Sequence, residues 1–310
     1  MEDLFGSHRI AVAIACYNQG HFLKDAIRSV FGQTRLCDEI ILVDDGSTDA
    51  TAEIVRSFPQ IKYVYQKNAG LSAARNTALA LTTAEQVLFL DADDLLCPTA
   101  LDMAERCARS QPEIAFAYGG YYSVDVTRRR LSSHRALTSS TPLLDLLRGN
   151  FIAMHGTVLY NVRLLRESGG FDVGLKSCED FDVYLRLARR HPIAAYEGIA
   201  AEYRRHGQGL TSNALHMIKM SRKVIDRHAR MLRPGHAEAL AARTGRNFMT
   251  RFYAQTYFEA IKRLRWKGGL RSTFRLLACD VAHHPLAMGL VAKVWLAGRF
   301  KAATWRLRPR

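Results

Sequence analysis

The segment Asp91-Ala92-Asp93-Asp94 places three carboxylates within four residues, directly after the apolar run Gln86 to Leu90. Clustered carboxylates repel one another, and a fold tolerates them most readily where a cation neutralises them. Hard oxygen ligands in that setting suit Mg²⁺ or Mn²⁺ carried on a substrate diphosphate. The same residues also suit a solvated acidic turn ahead of a helix that begins at Pro98. A second acidic group, Asp44-Asp45-Gly46-Ser47-Thr48-Asp49, follows another apolar run; taken alone it reads as a helix cap, with Asp favoured near the positive helix end. Together the two groups would offer acceptors to a base or ribose beside ligands for a metal, which is what a nucleoside diphosphate needs. Arg75, in Leu71-Ser72-Ala73-Ala74-Arg75-Asn76, would complement the phosphates or else stand as a solvated helix arginine.

These residues need a scaffold that brings separate loops together. Ile10 to Cys16 and Glu39 to Val43 read as short buried strands, and Ile61 to Tyr65 and Gln86 to Leu90 as a third and a fourth strand. Between them Leu23, Ala26, Ile27, Val30 and Phe31 form a helical stripe closed by Gly32. Ala50 to Phe58 reads as a helix capped by Ser47, Thr48 or Asp49, and Leu71 to Leu81 as another. Strand alternating with helix predicts an α/β fold: a mixed, mostly parallel sheet with helices on both faces and right-handed crossovers. Ligands of such sheets bind at the carboxyl ends of the strands, where Cys16-Tyr17-Asn18, Asp44-Asp45 and Asp91 to Asp94 all fall. Further on, Ile114 to Val124 predicts a strand, Thr127 to Arg130 a hairpin turn and Pro142 to Leu147 a helix. Ser177 and Asp180 predict a capping-box-like start to a helix with the stripe Phe181, Tyr184, Leu185 and Ala188. Beyond about Leu215 nearly everything reads as helical.

At 310 residues, with 48% hydrophobic and 24% charged residues, the chain suits one large α/β domain and an appendage. From Ile218 onward there are 21 Lys+Arg against 4 Asp+Glu, whereas the 217 residues before hold 23 against 25. A basic appendage on a near-neutral body points to an anionic surface. Arg263, Arg265, Lys267, Arg271 and Arg275 interleave there with Leu264, Trp266, Leu270, Phe274 and Leu276, as suits a lipid headgroup interface or a helical cap with a solvated basic side. Pro285 to Phe300 is too short to span a bilayer and is interrupted by Lys293. Met1 to Arg9 lacks the pattern of a signal peptide. Cys16, Cys37, Cys97, Cys107, Cys178 and Cys279 have no metal-ligand spacing and read as reduced thiols of a cytoplasmic protein.

Four segments carry a resemblance: Val12-Ala13-Ile14-Ala15-Cys16-Tyr17-Asn18, Ile41-Leu42-Val43-Asp44-Asp45-Gly46-Ser47-Thr48-Asp49, Asn68-Ala69-Gly70-Leu71-Ser72-Ala73-Ala74-Arg75-Asn76 and Leu90-Asp91-Ala92-Asp93-Asp94. In their order and spacing they resemble successive motifs of family 2 glycosyltransferases. Gly169-Gly170-Phe171-Asp172 and Glu179-Asp180-Phe181-Asp182-Val183-Tyr184-Leu185-Arg186 resemble that family's acceptor-side loop and Glu-Asp segment, and the likeness covers about residues 9–213. It implies a GT-A (Rossmann-like) catalytic domain over 1–215, followed by the basic helical extension over 216–310. It also implies inverting transfer from a nucleoside-diphosphate sugar, expected to be UDP-linked, to a carbohydrate or lipid-linked acceptor in bacterial cell-surface polysaccharide biosynthesis. The place of work would be the cytoplasm, with peripheral contact at the inner membrane face.

By motif position Asp45 would hold the base and Asp91 lie near the nucleoside, with Ala15, Tyr17, Asn18, Arg75 and Ala92 completing the donor site. Asp93 and His206 would hold Mn²⁺ or Mg²⁺; His206, in Tyr203-Arg204-Arg205-His206-Gly207, equally suits a surface histidine in a basic loop. Gly170, Phe171 and Glu179 would form the acceptor side, while His155 reads as structural. Asp180 would be the general base, since inversion needs one carboxylate to take the acceptor hydroxyl's proton opposite the leaving diphosphate. A carboxylate in the first turn of a helix is nevertheless expected to have its pKa lowered, and alone Asp180 reads as that. Cys16 departs from the small polar residue common there, which leaves that contact to the backbone. The alternatives are a catalytically inactive nucleotide-sugar-binding protein and a basic nucleic-acid-binding protein. No helix-turn-helix, zinc or RNA-binding signature supports the latter, and the first strand lacks the G-x-G-x-x-G of a dinucleotide-binding enzyme.

Overall fold

The computed structural model describes residues 8–206, 213–232 and 236–259, with a few positions between 286 and 292. Its strands are β1 (Ile10–Cys16), β2 (Glu39–Asp44), β3 (Lys62–Tyr65), β4 (Gln86–Asp91), β5 (Leu95–Leu96), β6 (Phe116–Asp125), β7 (Arg130–His134), β8 (Val158–Asn161) and β9 (Ala194–Arg205). They form one sheet in the order β3-β2-β1-β4-β8-β6-β9-β5, with β7 paired to β6. β1, β2, β3 and β4 pair in parallel, as do β6 and β9, and two antiparallel steps through β8 restore the direction of β4 in β6. The carboxyl ends of β1, β2, β4, β6 and β9 therefore share one edge, and the expected mixed, mostly parallel α/β sheet is what the chain forms.

The central strands are fully buried because their residues are apolar on both faces: Ile10, Val12 and Ile14 on one, Ala11 and Ala13 on the other. Helix α1 (Gly20–Phe31) buries Leu23, Ala26, Ile27 and Val30 against the sheet. Phe31, expected in that stripe, is 37% exposed and stacks instead on Phe58 with centroids 5.9 Å apart. Gly32 ends the helix at φ −84°, so no left-handed cap forms. Helix α2 is shorter than expected, Thr51–Arg56, and Asp49 serves two helix starts: Oδ1 accepts from the Thr51 N–H at 3.0 Å and Oδ2 from the Gly20 N–H at 2.8 Å. Helix α3 (Leu71–Leu81) has the expected bounds, and α4 (Ala100–Ser110) follows Pro98 by two residues.

After α5 (Pro142–Arg148) come β8 and α6 (Val162–Glu167), which the irregular periodicity there did not reveal. The helix α7 (Glu179–Ala188) starts without a capping box: Cys178 at its head lies at φ 62°, Ser177 Oγ donates to the Lys176 carbonyl, and Asp180 Oδ1 accepts the Phe181 N–H at 2.7 Å. The stripe expected on α7 is wider in the structure, because Val183 and Leu187 are buried along with Phe181, Tyr184 and Leu185.

The chain divides into two compact units, Met1–Pro142 with Ile152–His206, and Leu143–Phe151 with Gly207–Arg310. In the second unit α8 (Ala214–Ala229) packs Ala214, Leu215 and Ile218 against Ala254, Tyr257 and Val291, and Asp226 pairs with Arg246 at 2.7 Å. Leu215 lies in α8 and takes part in the packing of this second unit. The basic and apolar residues singled out between Arg263 and Leu276 lie outside the described residues, as does Cys279. The other five cysteines are free thiols, and no helix among the described residues is long and apolar enough to cross a membrane.

Candidate active site

The acidic groups converge at the shared carboxyl edge. Asp44 ends β2 with Asp45 directly after it, and Asp91 ends β4 in register with Ala15 of β1, which itself pairs with Val43. Tyr17 follows β1 and is 51% exposed. Asn18, at φ 53°, joins the loops after β1 and β2: its N–H donates to Ser47 Oγ at 2.9 Å and its Oδ1 accepts the Thr48 N–H at 2.8 Å. An amide side chain tolerates that left-handed backbone and supplies an acceptor, so Asn18 suits the position on both counts.

Asp45 is 3% exposed, and its carboxylate accepts from Gln66 Nε2 at 2.7 Å and the N–H groups of Ala69 and Gly70 at 2.9 and 2.8 Å. It therefore holds the 66–70 loop that leads into α3. Asp44 does similar work, accepting from the Ser47 N–H at 2.8 Å and Tyr63 Oη at 2.7 Å. Such charge-assisted bonds to backbone donors fix the shape of the loops that follow β2 and β3. Gly46, at φ 82°, passes so close to Asn68 that a Cβ there would lie 2.8 Å from the Asn68 nitrogen.

Arg75 is 2% exposed and lies between two carboxylates, donating to Asp91 Oδ1 at 2.7 Å and to Glu179 Oε1 at 2.6 Å. Its guanidinium joins β4 to the start of α7 rather than standing free in solvent. Next to it, Asn76 clamps the backbone of Phe171, its Nδ2 donating to the carbonyl and its Oδ1 accepting the N–H, at 2.7 and 2.8 Å. From the other side Arg186 donates to the carbonyls of Ser168 and Gly170, both at 2.5 Å. Gly170 has φ +64°, and a Cβ on it would lie 2.6 Å from Asn76 Oδ1. Gly170→Ala should therefore cost about 2–3 kcal/mol, through backbone strain and loss of the clamp; urea unfolding of the variant measures it. Phe171 is buried, with the Arg75 guanidinium 5.5 Å from its ring centre. Asn76 was not singled out from the sequence; the available signal was an amide inside a helix, where such residues are disfavoured without a partner. His155 packs between Phe89 and Phe171 with Nε2 3.0 Å from Tyr160 Oη, and burial, followed by Arg75, holds its pKa well below the usual range, as suits a structural residue.

On the other side of Asp91, Asp93 Oδ2 lies 2.8 Å from His206 Nε2 and 3.3 Å from Gln19 Nε2. Ala92 is buried beneath the turn, and Asp94 Oδ1 accepts the Arg204 N–H at 2.8 Å, tying the turn to the end of β9. Burial and then the neighbouring carboxylates raise the pKa of Asp93, with His206 opposing, and of Asp94 more strongly, with Arg204 opposing. Asp180 is half-buried, and its pKa is raised to about 7, first by burial, then by Glu179, with Arg75 pulling the other way. The helix end was expected to lower it; the desolvated acidic surroundings win, because a first-turn effect is worth at most about 2 kcal/mol while burial alone shifts a carboxyl by several units.

The sequence profile of glycosyl transferase family 2 matches residues 11–169. The chain belongs to glycosyl transferase family 2. It is 25% identical over 222 residues to chondroitin synthase of Escherichia coli, an alignment covering 68% of this chain and 31% of that protein. It is 29% identical over 200 residues to an uncharacterized glycosyltransferase of Rickettsia conorii, covering 63% and 33%, so the chain spans about a third of the length of either. Among solved structures it resembles the mannosyltransferase of Pyrobaculum calidifontis in complex with GDP-Man and Mn²⁺, with TM-score 0.62 and 17% identity over 96% of this chain and 87% of that one. It also resembles Staphylococcus aureus TarS 1–349 in complex with UDP-GlcNAc, with TM-score 0.58 and 18% identity over 92% and 81%. The fold of this family 2 member is GT-A.

Proposed function

We propose that this chain transfers a sugar, with inversion, from a nucleoside-diphosphate donor to a carbohydrate or lipid-linked hydroxyl. The observation that carries this reading is the Arg75 bridge from Asp91 to Glu179, which sets Asp180, a carboxyl that burial raises to about 7, beside the carboxyl edge of β4. A base whose pKa sits near the working pH combines a sizeable ionised fraction with real proton affinity. As the acceptor oxygen forms its bond to the anomeric carbon, Asp180 takes the hydroxyl proton, and the bond from that carbon to the diphosphate breaks with its electron pair leaving on the phosphate oxygen. Arg75 and Glu179 position Asp180, and the Asn76 clamp shapes the acceptor side at Gly170 and Phe171. Tyr17, Asn18 and Ala15 line the donor side above the buried Ala92, and Asp45 acts there through the loop it holds.

Among the described residues no three His, Cys, Asp or Glu side chains converge on a cation site. Asp93 and His206 offer one oxygen and one nitrogen, and the like charge that Asp93 faces at Asp91 favours a cation there. That fits Mn²⁺ or Mg²⁺, which is commonly held by one or two protein ligands with substrate phosphates completing the shell. Bound there, it would neutralise charge on the departing diphosphate. TarS in complex with UDP-GlcNAc supports a UDP-linked donor, and the mannosyltransferase with GDP-Man keeps GDP in the comparison. The 21 basic against 4 acidic residues from Ile218 onward support peripheral contact with an anionic membrane, on the cytoplasmic face where surface polysaccharide is assembled.

Calorimetric titration with UDP, GDP and dTDP, each with Mn²⁺ and with EDTA, tests the donor site. One nucleotide is expected to bind only with metal, and Asp93→Ala to weaken it at least about 100-fold, the upper end of what losing an outer-shell partner costs. Failure of all three to bind the wild type would sink the proposal.

A further inference from the structure

The carboxyl ends of β6 and β9 lie at the same sheet edge as Asp44 and Asp91, and β7 extends that edge. Side chains alternate across a strand, so the register puts Tyr121, Ser132, His134, Tyr203 and Arg205 on one face. There they touch. His134 stacks on Tyr121 with centroids 4.5 Å apart and planes 13° apart, and Tyr203 meets Tyr121 edge-on at 6.3 Å. Arg205 Cζ lies 5.7 Å from the Tyr203 ring centre, and Ser132 Oγ is 2.8 Å from His134 Nε2. Ser132, His134 and Arg205 are exposed, while both tyrosines are half-buried and firmly seated.

The charge on this face is unbalanced. Asp125, in register with Arg205, gives its carboxylate to Thr127 and Arg129 of the hairpin turn, and Glu202 pairs with Arg128. Arg205 is left without an ion pair among the described residues, close enough to His134 to disfavour its protonation after burial has done so. A guanidinium in that position suits a planar or tetrahedral oxyanion, which it can bind through two parallel hydrogen bonds. Flat aromatic faces beside it suit the apolar face of a ring.

We propose that this face is an acceptor subsite for a glycan bearing an anionic group, a uronate carboxylate or a phosphodiester. Arg205 binds the charge, and the sugar ring lies against the aromatic side chains of His134 and Tyr203. The inference rests on the sugar-transfer reading above. Its location supports it, because Arg205 ends β9 at the carboxyl edge that β4 and Asp91 share, so a glycan held there lies at the edge where transfer would occur. Single-stranded nucleic acid also uses arginine and aromatic rings, but it needs a continuous cationic track. Here Arg128 and Arg129 are neutralised by Glu202 and Asp125.

The test is fluorescence anisotropy with labelled oligogalacturonate, a phosphodiester-linked mannan oligomer, neutral maltohexaose and single-stranded RNA. The protein is the full chain, as wild type, Arg205→Gln and Arg163→Gln; the last removes one exposed positive charge on α6. Arg205→Gln should weaken one of the two anionic glycans at least fivefold, and which one identifies the group. Arg163→Gln should leave both unchanged, and Mn²⁺-dependent nucleotide binding and the melting temperature should survive in both variants. Equal losses in the two variants, equal binding of maltohexaose, or no glycan binding by a wild type that binds nucleotide would overturn the inference. RNA binding with the same dependence on Arg205 would replace it with nucleic acid. A wild type that binds no nucleotide would instead break the sugar-transfer reading.

Discussion

Asp180→Asn should lower kcat by about 1,000-fold while leaving nucleotide affinity within twofold of wild type, since general-base catalysis contributes roughly 10² to 10⁴. The pH profile separates this from a merely structural role. With its pKa raised to about 7, Asp180 is mostly protonated below that pH, so wild-type kcat/KM should climb tenfold per unit up to about 7 and then level off. The residual activity of Asp180→Asn should lack that limb. Stability moves the opposite way. A carboxyl whose folded pKa exceeds its unfolded value favours the fold fully below about pH 4, and that contribution is lost as pH rises through about 7. The amide removes this dependence, so the variant should be more stable than wild type at pH 8, by about 1–2 kcal/mol after allowing for the solvent that reaches the group. The two should converge at pH 4. Urea midpoints at the two pH values check the sign; a variant less stable than wild type at pH 8 would contradict the desolvated environment assigned to Asp180.

Arg75→Met should be the most damaging single change to stability in the site. The substitution leaves Asp91 and Glu179 without the cation that now lies within 2.7 Å of each, in a place where Arg75 itself is 2% exposed. Breaking a buried pair by removing one partner costs about 3–5 kcal/mol, because a desolvated charge stays behind. For a domain of this size that is a fall in melting temperature of roughly 6–20 °C. Arg75→Lys should recover only part, since one ammonium cannot reach both carboxylates as the planar fork does. Arg75→Met combined with Glu179→Gln should recover more, because one of the stranded charges is gone. Arg75 also lowers the Asp180 pKa, so in any variant that still folds the acid limb of the rate profile should shift upward. A midpoint unchanged by Arg75→Met would show that solvent screens the pair.

Both predictions concern residues that the sequence singles out by type and position but not by environment. Asp180 is legible as a carboxylate at a helix start, and local rules then give the wrong sign for its pKa. What reverses it is the burial produced by α7 packing on the sheet and the nearness of Glu179, with Arg75, bonded to Glu179 from 104 residues away in the chain, opposing. Arg75 is legible as a helix arginine near a phosphate site, yet its bidentate role between β4 and α7 exists only once those elements meet. The Asn76 clamp is the same kind of case, since its partner Phe171 is 95 residues on.

The sequence by itself determined the strand-helix alternation, the sheet edge at which ligands would bind, and the residue types gathered there. Short apolar runs, period-3.6 stripes and the chemistry of turns are local, and Ile10–Cys16, Leu71–Leu81 and the hairpin after β6 follow from them. Only the tertiary structure decided which carboxylates hold loops and which meet side chains from distant elements at the sheet edge. Asp45 looks like an open ligand in the sequence and is enclosed by the donors of Gln66, Ala69 and Gly70, whereas Asp93 finds His206 at the far end of β9. Hydrogen-bond saturation and desolvation depend on which groups the fold brings within about 3 Å, and a linear sequence does not encode that distance in any local pattern.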